Sequence, residues 1–218
     1  MADPITDYPS LLAAVLEYTA RPDLQEFVPI FVQQAEGRLN ARLKVADMHR
    51  LIGPVDLAAG KIDLPSDFID WVSVEWTPPP RTPQRPLMLR YVEADSPEIR
   101  AKHRPNGPPQ IYTVLAGKVR VVPAAVGTVD LVYFARIPAL TAATPKNWLI
   151  AKAPDVYLYA VLLEAMLFQK DDARAAQWIG LLNDRLGGIF GQGDTQKVAS
   201  RPARRTVEVA EAAAQAVA

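Results

Sequence analysis

Apolar residues recur at helical spacing toward both ends of this chain and alternate at strand spacing through its middle. Ser10 to Thr19 reads as a short amphipathic helix, with Asp7 or Ser10 as its cap and Pro9 near its first turn. From Asp23 to about Lys44, Leu24, Phe27, Val28, Phe31, Val32, Ala35, Leu39 and Leu43 form a second stripe. Glu36, Arg38, Asn40 and Arg42 take the wet or partner-facing side, and Pro29 kinks or delays the helix start. Near the other end, Pro154 and Asp155 open a helix in which Val156 to Phe168 is apolar at every position except Glu164, so the segment is expected to be enclosed on nearly all sides. At roughly 1.5 Å per residue it is too short to cross a bilayer, which needs about 20 apolar residues. Lys170, Asp171 and Asp172 make a corner, with an aspartate placed to cap the next helix. That helix carries Ala175, Trp178, Ile179, Leu182, Leu186, Ile189 and Phe190 on one stripe, and Gly187 and Gly188 loosen its end.

Between Val45 and Pro138 the period shortens. KIDLPSDFIDWVSVEW predicts two strands around a Pro-Ser-Asp turn, TPPPRTPQRP a loop, and PLMLRYV another strand. A brief helix is expected from Ser96 or Pro97 to Lys102. IYTVLAGKVRVVPAAVGTVDLVYFARIP then predicts three strands, with one hairpin turning at Ala116 and Gly117 and a second at Ala124 to Gly127. Alternation of Val119 and Val121 with Lys118 and Arg120, and of Val129, Leu131 and Tyr133 with Thr128, Asp130 and Val132, gives an antiparallel sheet with one better buried face.

The expected fold class is therefore α+β. Residues 1–45 and 141–191 supply the two halves of a four-helix bundle, 46–140 an inserted antiparallel β domain, and 192–218 an extended C-terminal arm. The last stretch is small, polar and alanine-rich, and is either disordered or ordered against a partner.

The composition, 50% hydrophobic and 22% charged over 218 residues, is that of a globular chain. Twenty-four basic residues balance 24 acidic ones, so no global field draws in nucleic acid or anionic membrane. The chain has no cysteine, which removes disulfides and thiolate chemistry and suits assembly in a reducing cytoplasm. The first twenty residues lack a basic stretch and are interrupted by acids, so neither a secretion signal nor a membrane form is expected.

Catalytic signatures are scarce. His49 and His103 sit in unrelated segments without ligand spacing, and no phosphate-cradling loop or nucleophile elbow occurs, so no metal or cofactor is expected. Asp67 with Asp70, and Asp171 with Asp172, are the paired carboxylates that a cell-wall hydrolase would need, although turn and capping duties explain both pairs. Trp148 and Trp178 are expected in the core. Trp71 and Trp76, oddly spaced on one strand, are expected on opposite faces, with at least one at an interface. Arg201, Arg204 and Arg205, followed by Val207, belong either to a solvated tail or to an arm whose arginines fork to carboxylates on a neighbour. A small nucleic-acid-binding module using the strand tryptophans and tail arginines is a third reading, diluted by Glu208 and Glu211.

FVPIFVQQAEGRLNARLKVADM, LPSDFIDWVSVEW, PPQIYTVLAGKVRVVPAAVGTVDLVYFARIPALT and NWLIAKAPDVYLYAVLLEAMLFQKDDARAAQWIGLLNDRL, in this order across most of residues 8 to 190, resemble the head-to-tail adaptor (connector) proteins of short-tailed bacteriophages, especially the tail tubular protein A family. The resemblance implies a structural protein of the virion neck, assembled in the host cytoplasm and lacking catalytic residues. It implies a dodecameric ring between portal protein and tail nozzle protein, with tail fibre proteins as further neighbours, through which DNA passes without sequence-specific binding. It also implies a terminal arm reaching the portal. That Arg201, Arg204, Arg205 and Val207 bind the portal, and that Trp71 and Trp76 are interface residues, are readings of this sequence and not features carried over from the family.

Overall fold

The computed structural model describes residues 4–81, 83, 85–101 and 107–199. Helix α1 (Tyr8–Thr19) opens on a capping box. The Asp7 carboxylate accepts the Ser10 N–H at 3.0 Å, and the Ser10 hydroxyl accepts the Asp7 N–H at 3.0 Å, so Asp7 is the cap and Ser10 its partner. A 3-10 turn at Pro22–Leu24 precedes α2 (Val28–Arg42). This helix starts later than its apolar stripe suggests, because Pro29 fits only in a first turn.

Seven strands follow: β1 (His49–Asp56), β2 (Lys61–Asp63), β3 (Phe68–Thr77), β4 (Leu87–Tyr91), β5 (Ile111–Leu115), β6 (Lys118–Val122) and β7 (Thr128–Ala135), with α3 (Pro97–Ala101) before β5. They form one sheet in the order β1-β7-β3-β4-β5-β6-β2. The two edge strands are consecutive in the chain and joined only by residues 57–60, so the sheet must curl until its edges approach. The result is a nearly closed barrel. Its interior is filled by Ile62, Val74, Trp76, Leu89, Tyr112, Val119, Val121, Val129, Leu131 and Tyr133.

The barrel departs from the expected antiparallel sheet in three ways. Strands β4 and β5 run parallel, where an antiparallel sheet was expected. The turn at Ala116–Gly117 makes the expected hairpin of β5 and β6, but residues 124–127 make no hairpin. They carry the chain across the barrel, β7 pairing with β1 and β3 while β6 pairs with β5 and β2. Strand β1 has no counterpart in the sequence reading, since Gly53 and Pro54 interrupt it. The register shifts between Ile52 and Val55, and a side chain at Gly53 (φ +146°) would meet the Asp130 carboxylate at 2.0 Å.

Strand β3 carries two bulges. Phe68, Trp71, Val74 and Trp76 oppose Ala135, Tyr133, Leu131 and Val129, with the register shifting between Phe68 and Asp70 and between Trp71 and Ser73. Each bulge inserts one residue and resets the alternation, so all four side chains face the barrel interior. Trp71 and Trp76 therefore share a face instead of lying on opposite ones.

The chain then returns to helices α4 (Trp148–Lys152), α5 (Pro154–Phe168) and α6 (Asp172–Ala199). Helices α1, α2, α4 and α6 all pack on α5, which is the hub of the helical core. Val156 to Met166 is buried apart from half-buried Tyr159, but Leu167 and Phe168 are exposed, so the apolar run outlasts its enclosure. Helix α6 does not loosen at Gly187 and Gly188; it continues to Ala199. Trp148 and Trp178 are half-buried and pack against the helical core.

Candidate functional site

The chain crosses between helices and barrel twice, and both crossings are anchored by side chains. On the outward crossing Leu43, Val45 and Met48 are buried in the helical core. Lys44 pairs with Asp70 of β3, and Asp47 pairs with Lys152 of α4. On the return, the Arg136 N–H donates to the Asp67 carbonyl at 2.7 Å, and the Ile137 N–H donates to Asn40 Oδ1 at 2.8 Å. The Leu140 N–H donates to Glu36 Oε1 at 2.7 Å. Two residues of α2 thus hold the linker that brings β7 back to the helices.

Glu36 is the centre of this arrangement. It is buried, contrary to its expected place on the wet side of α2, and also accepts a hydrogen bond from the Tyr157 hydroxyl at 3.2 Å. Asn147 Nδ2 donates to the Tyr157 oxygen at 2.6 Å and to the Pro138 carbonyl at 2.7 Å, while Asn147 Oδ1 caps α4 by accepting from Leu149 and Ile150. Burial pushes the Glu36 carboxyl up from its ordinary value, opposed by the two donors it faces. Burial and the neighbouring carboxylate push the Tyr157 hydroxyl up as well. Two residues along α2, Arg38 Nε donates to Glu164 at 2.7 Å and neutralises the only acid on the buried run of α5. Such a closed polar network inside an apolar core specifies one arrangement of linker, α2 and α5. Its chemistry is positional: the Glu36 carboxylate, the Tyr157 hydroxyl and the Asn147 amide bond one another and the linker backbone.

The sequence held a signal for part of this. Glu36 stands four residues after Val32 and three before Leu39, on the apolar stripe itself. Asn147 directly precedes an apolar run, as helix caps do. Neither position shows from sequence that the other completes it, since the contact from Glu36 to Leu140 spans the whole barrel.

The carboxylates singled out above are placed separately and engaged locally. Asp67 accepts the Tyr133 hydroxyl at 3.1 Å, and Asp70 accepts the Trp71 N–H at 2.9 Å besides pairing with Lys44. Asp171 caps α6 through the Arg174 N–H at 3.1 Å, and Asp172 stands in that helix's first turn. Trp76 is 1% exposed and donates Nε1–H to the Val126 carbonyl at 3.1 Å. Trp71 is half-buried and stacks on Tyr91 at 4.1 Å between ring centroids. In the same cluster the Tyr112 hydroxyl, buried beside Tyr91, is pushed up to about 12. His49 packs edge-on against Phe134 at 4.7 Å. His103, Arg201, Arg204, Arg205 and Val207 lie outside the described residues. Among the described residues no three potential metal ligands cluster, and no helix is long and apolar enough to cross a membrane.

The geometry is that of a barrel clamped to a helical body, with acids spent on caps and ion pairs. A family model described as SU10 adaptor protein matches residues 6–206, nearly the whole chain. The chain belongs to the SU10 adaptor protein family. It is therefore a structural adaptor of a bacteriophage, a virion component that associates with other head and tail parts. The matched span includes both crossings and the clamp. No curated protein matches the chain.

Proposed function

We propose that copies of this chain form a dodecameric ring between portal protein and tail nozzle protein, continuing the channel through which DNA leaves the head. The observation that carries this reading is the clamp at Glu36, Asn40, Asn147 and Tyr157 within a chain of the adaptor family. A neck component must hold its two faces at a fixed separation, and buried polar bonds at the crossing resist bending there. In this reading helices α1, α2, α5 and α6, from residues 1–45 and 141–191, work as one four-helix bundle. The inserted domain 46–140 supplies outward docking surface, and 192–218 is a C-terminal arm whose first residues continue α6. Arg201, Arg204, Arg205 and Val207 then dock on the portal through arginine forks and an apolar contact. Of the two strand tryptophans, Trp71 is the one whose surface an adjoining chain would touch. Balanced charge suits a channel along which DNA slides without adhering.

The test is reconstitution of full-length protein on purified portal rings, read by negative-stain microscopy. The expected result is an added ring of density on one portal face, weakened when the chain ends at Ala199. Portal rings left bare at saturating protein would overturn the reading, and equal binding by the shortened chain would remove the arm from it.

A further inference from the structure

Two aromatic clusters leave the helical body on opposite faces of α5. At its C-terminal end Phe168 lies 5.1 Å from Phe27 and 5.3 Å from Phe31, between ring centroids. Toward its start Tyr159 lies 5.7 Å from Trp178, which meets Tyr18 edge-on at 6.0 Å. Residues 159 and 168 are about two and a half turns apart on one helix, so their side chains point in opposite directions.

Both clusters stay wet within the single chain. Phe168 is 51% exposed, with Ile30 at 49% and Leu167 at 44% beside it. On the other face Tyr18 is 57% exposed, and Leu181, one turn beyond Trp178, is 47% exposed. With aromatic side chains covering about 150–250 Å² each, each cluster leaves roughly 300 Å² of apolar surface in water. That matches the largest patch of an ordinary monomer and the apolar core of one roughly 800 Å² interface side.

An isologous dimer would pair one cluster with itself and leave the other exposed, whereas a head-to-tail contact buries both in one repeating step. The rims agree. Glu26 and Lys170 adjoin the first cluster in sequence, Glu17 and Arg174 the second, with Arg174 also 3.4 Å from Asp171 of its own chain, so each side carries an acid and a base that a neighbour can meet. We propose that the Phe27–Ile30–Phe168 face of one copy seats on the Tyr18–Trp178–Leu181 face of the next. This deepens the ring reading above and rests on it only for closure of the assembly.

The absence of cysteine makes a clean test available. Ile30→Cys and Leu181→Cys are introduced singly and together into the full-length protein, which is concentrated and treated with a short flexible bismaleimide. The double variant is expected to give a ladder of dimers, trimers and larger species. The two single variants should stay monomeric alone and stop at dimers when mixed. Efficient dimers from either single variant alone would overturn the head-to-tail contact, as would a double variant that gives no ladder. Rings imaged in a sample without a ladder would overturn this contact and leave the ring reading standing; a ladder from protein that leaves portal rings bare at saturation would do the reverse. Ile30→Lys and Leu181→Lys, both on exposed positions, should each raise the concentration needed for association by about tenfold or more. Unchanged association in both would also overturn the proposal.

Discussion

Glu36 is a buried acid whose neighbours are the Leu140 N–H and the Tyr157 hydroxyl, with Tyr8 close enough for its own hydroxyl to be pushed up by burial and by the same carboxylate. Because the folded carboxyl is raised above its ordinary value, the native state holds the proton more readily than the unfolded chain does. Its contribution is thus fully present below the unfolded value and is lost as pH rises through the folded one. Glu36→Gln keeps an acceptor for both donors without the buried charge. Its stability relative to wild type should therefore increase as pH rises from about 4 to 7, as read by urea melts at several pH values. A pH-independent difference would contradict this. Glu36→Leu should instead cost about 1–3 kcal/mol for each donor left unpaired. Trp76 and Trp71 give a second residue-scale test. Trp76→Ala should cost about 3–5 kcal/mol, and Trp71→Ala, at a half-buried site, distinctly less; equal losses would contradict the placement of the two rings.

At the scale of elements, the β3 bulges fix which side chains enter the barrel. Deleting Val72 would remove the second bulge and leave Trp71 and Val74 two residues apart on one face, so cooperative unfolding of the full-length protein should survive. Deleting Glu75, between Val74 and Trp76 in the regularly paired stretch, would instead turn one of those two side chains outward and should abolish it. Val72→Ala, at an exposed position, should stay within about 0.5 kcal/mol of wild type. In α6 a side chain at Gly187 or Gly188 meets nothing within 4 Å. Alanine at each should stabilise by about 0.5–1 kcal/mol, measured by thermal melts; a loss would mean that the helix does not run through them. The elements that the sequence made legible are those written in local contacts: the Asp7 cap, the proline start and apolar run of α5, and the Ala116–Gly117 hairpin. Illegible were those decided elsewhere in the chain. Pro54 hides β1 because the edge position that tolerates it is set by closure of the sheet. The crossover at 124–127 reads as a hairpin because local alternation does not say which strand is the neighbour. Bulges reverse the odd-spacing argument for Trp71 and Trp76, and Glu36 looked solvated because its partner Leu140 follows the entire barrel.

For the whole molecule, the two crossings make barrel and helices one mechanical unit. Asn40→Ala with Asn147→Ala removes side-chain bonds from the return crossing together with the cap of α4, leaving the barrel interior intact. The double variant should lower stability by about 2 kcal/mol or more and raise amide exchange most strongly over residues 136–147. Uniform exchange changes throughout would contradict a localised clamp. Ending the chain at Ala199 should leave the melting temperature within the effect of a neutral surface change, since the helical core described here closes by Ile189. The most direct measurement is an image of the portal vertex in intact particles assembled with this chain carrying a small density label. The account predicts labelled copies in a ring between portal and tail, with barrel and helices in the same relative orientation as in the free chain. Label elsewhere in the particle, or a barrel swung away from its helices at the crossing, would contradict it.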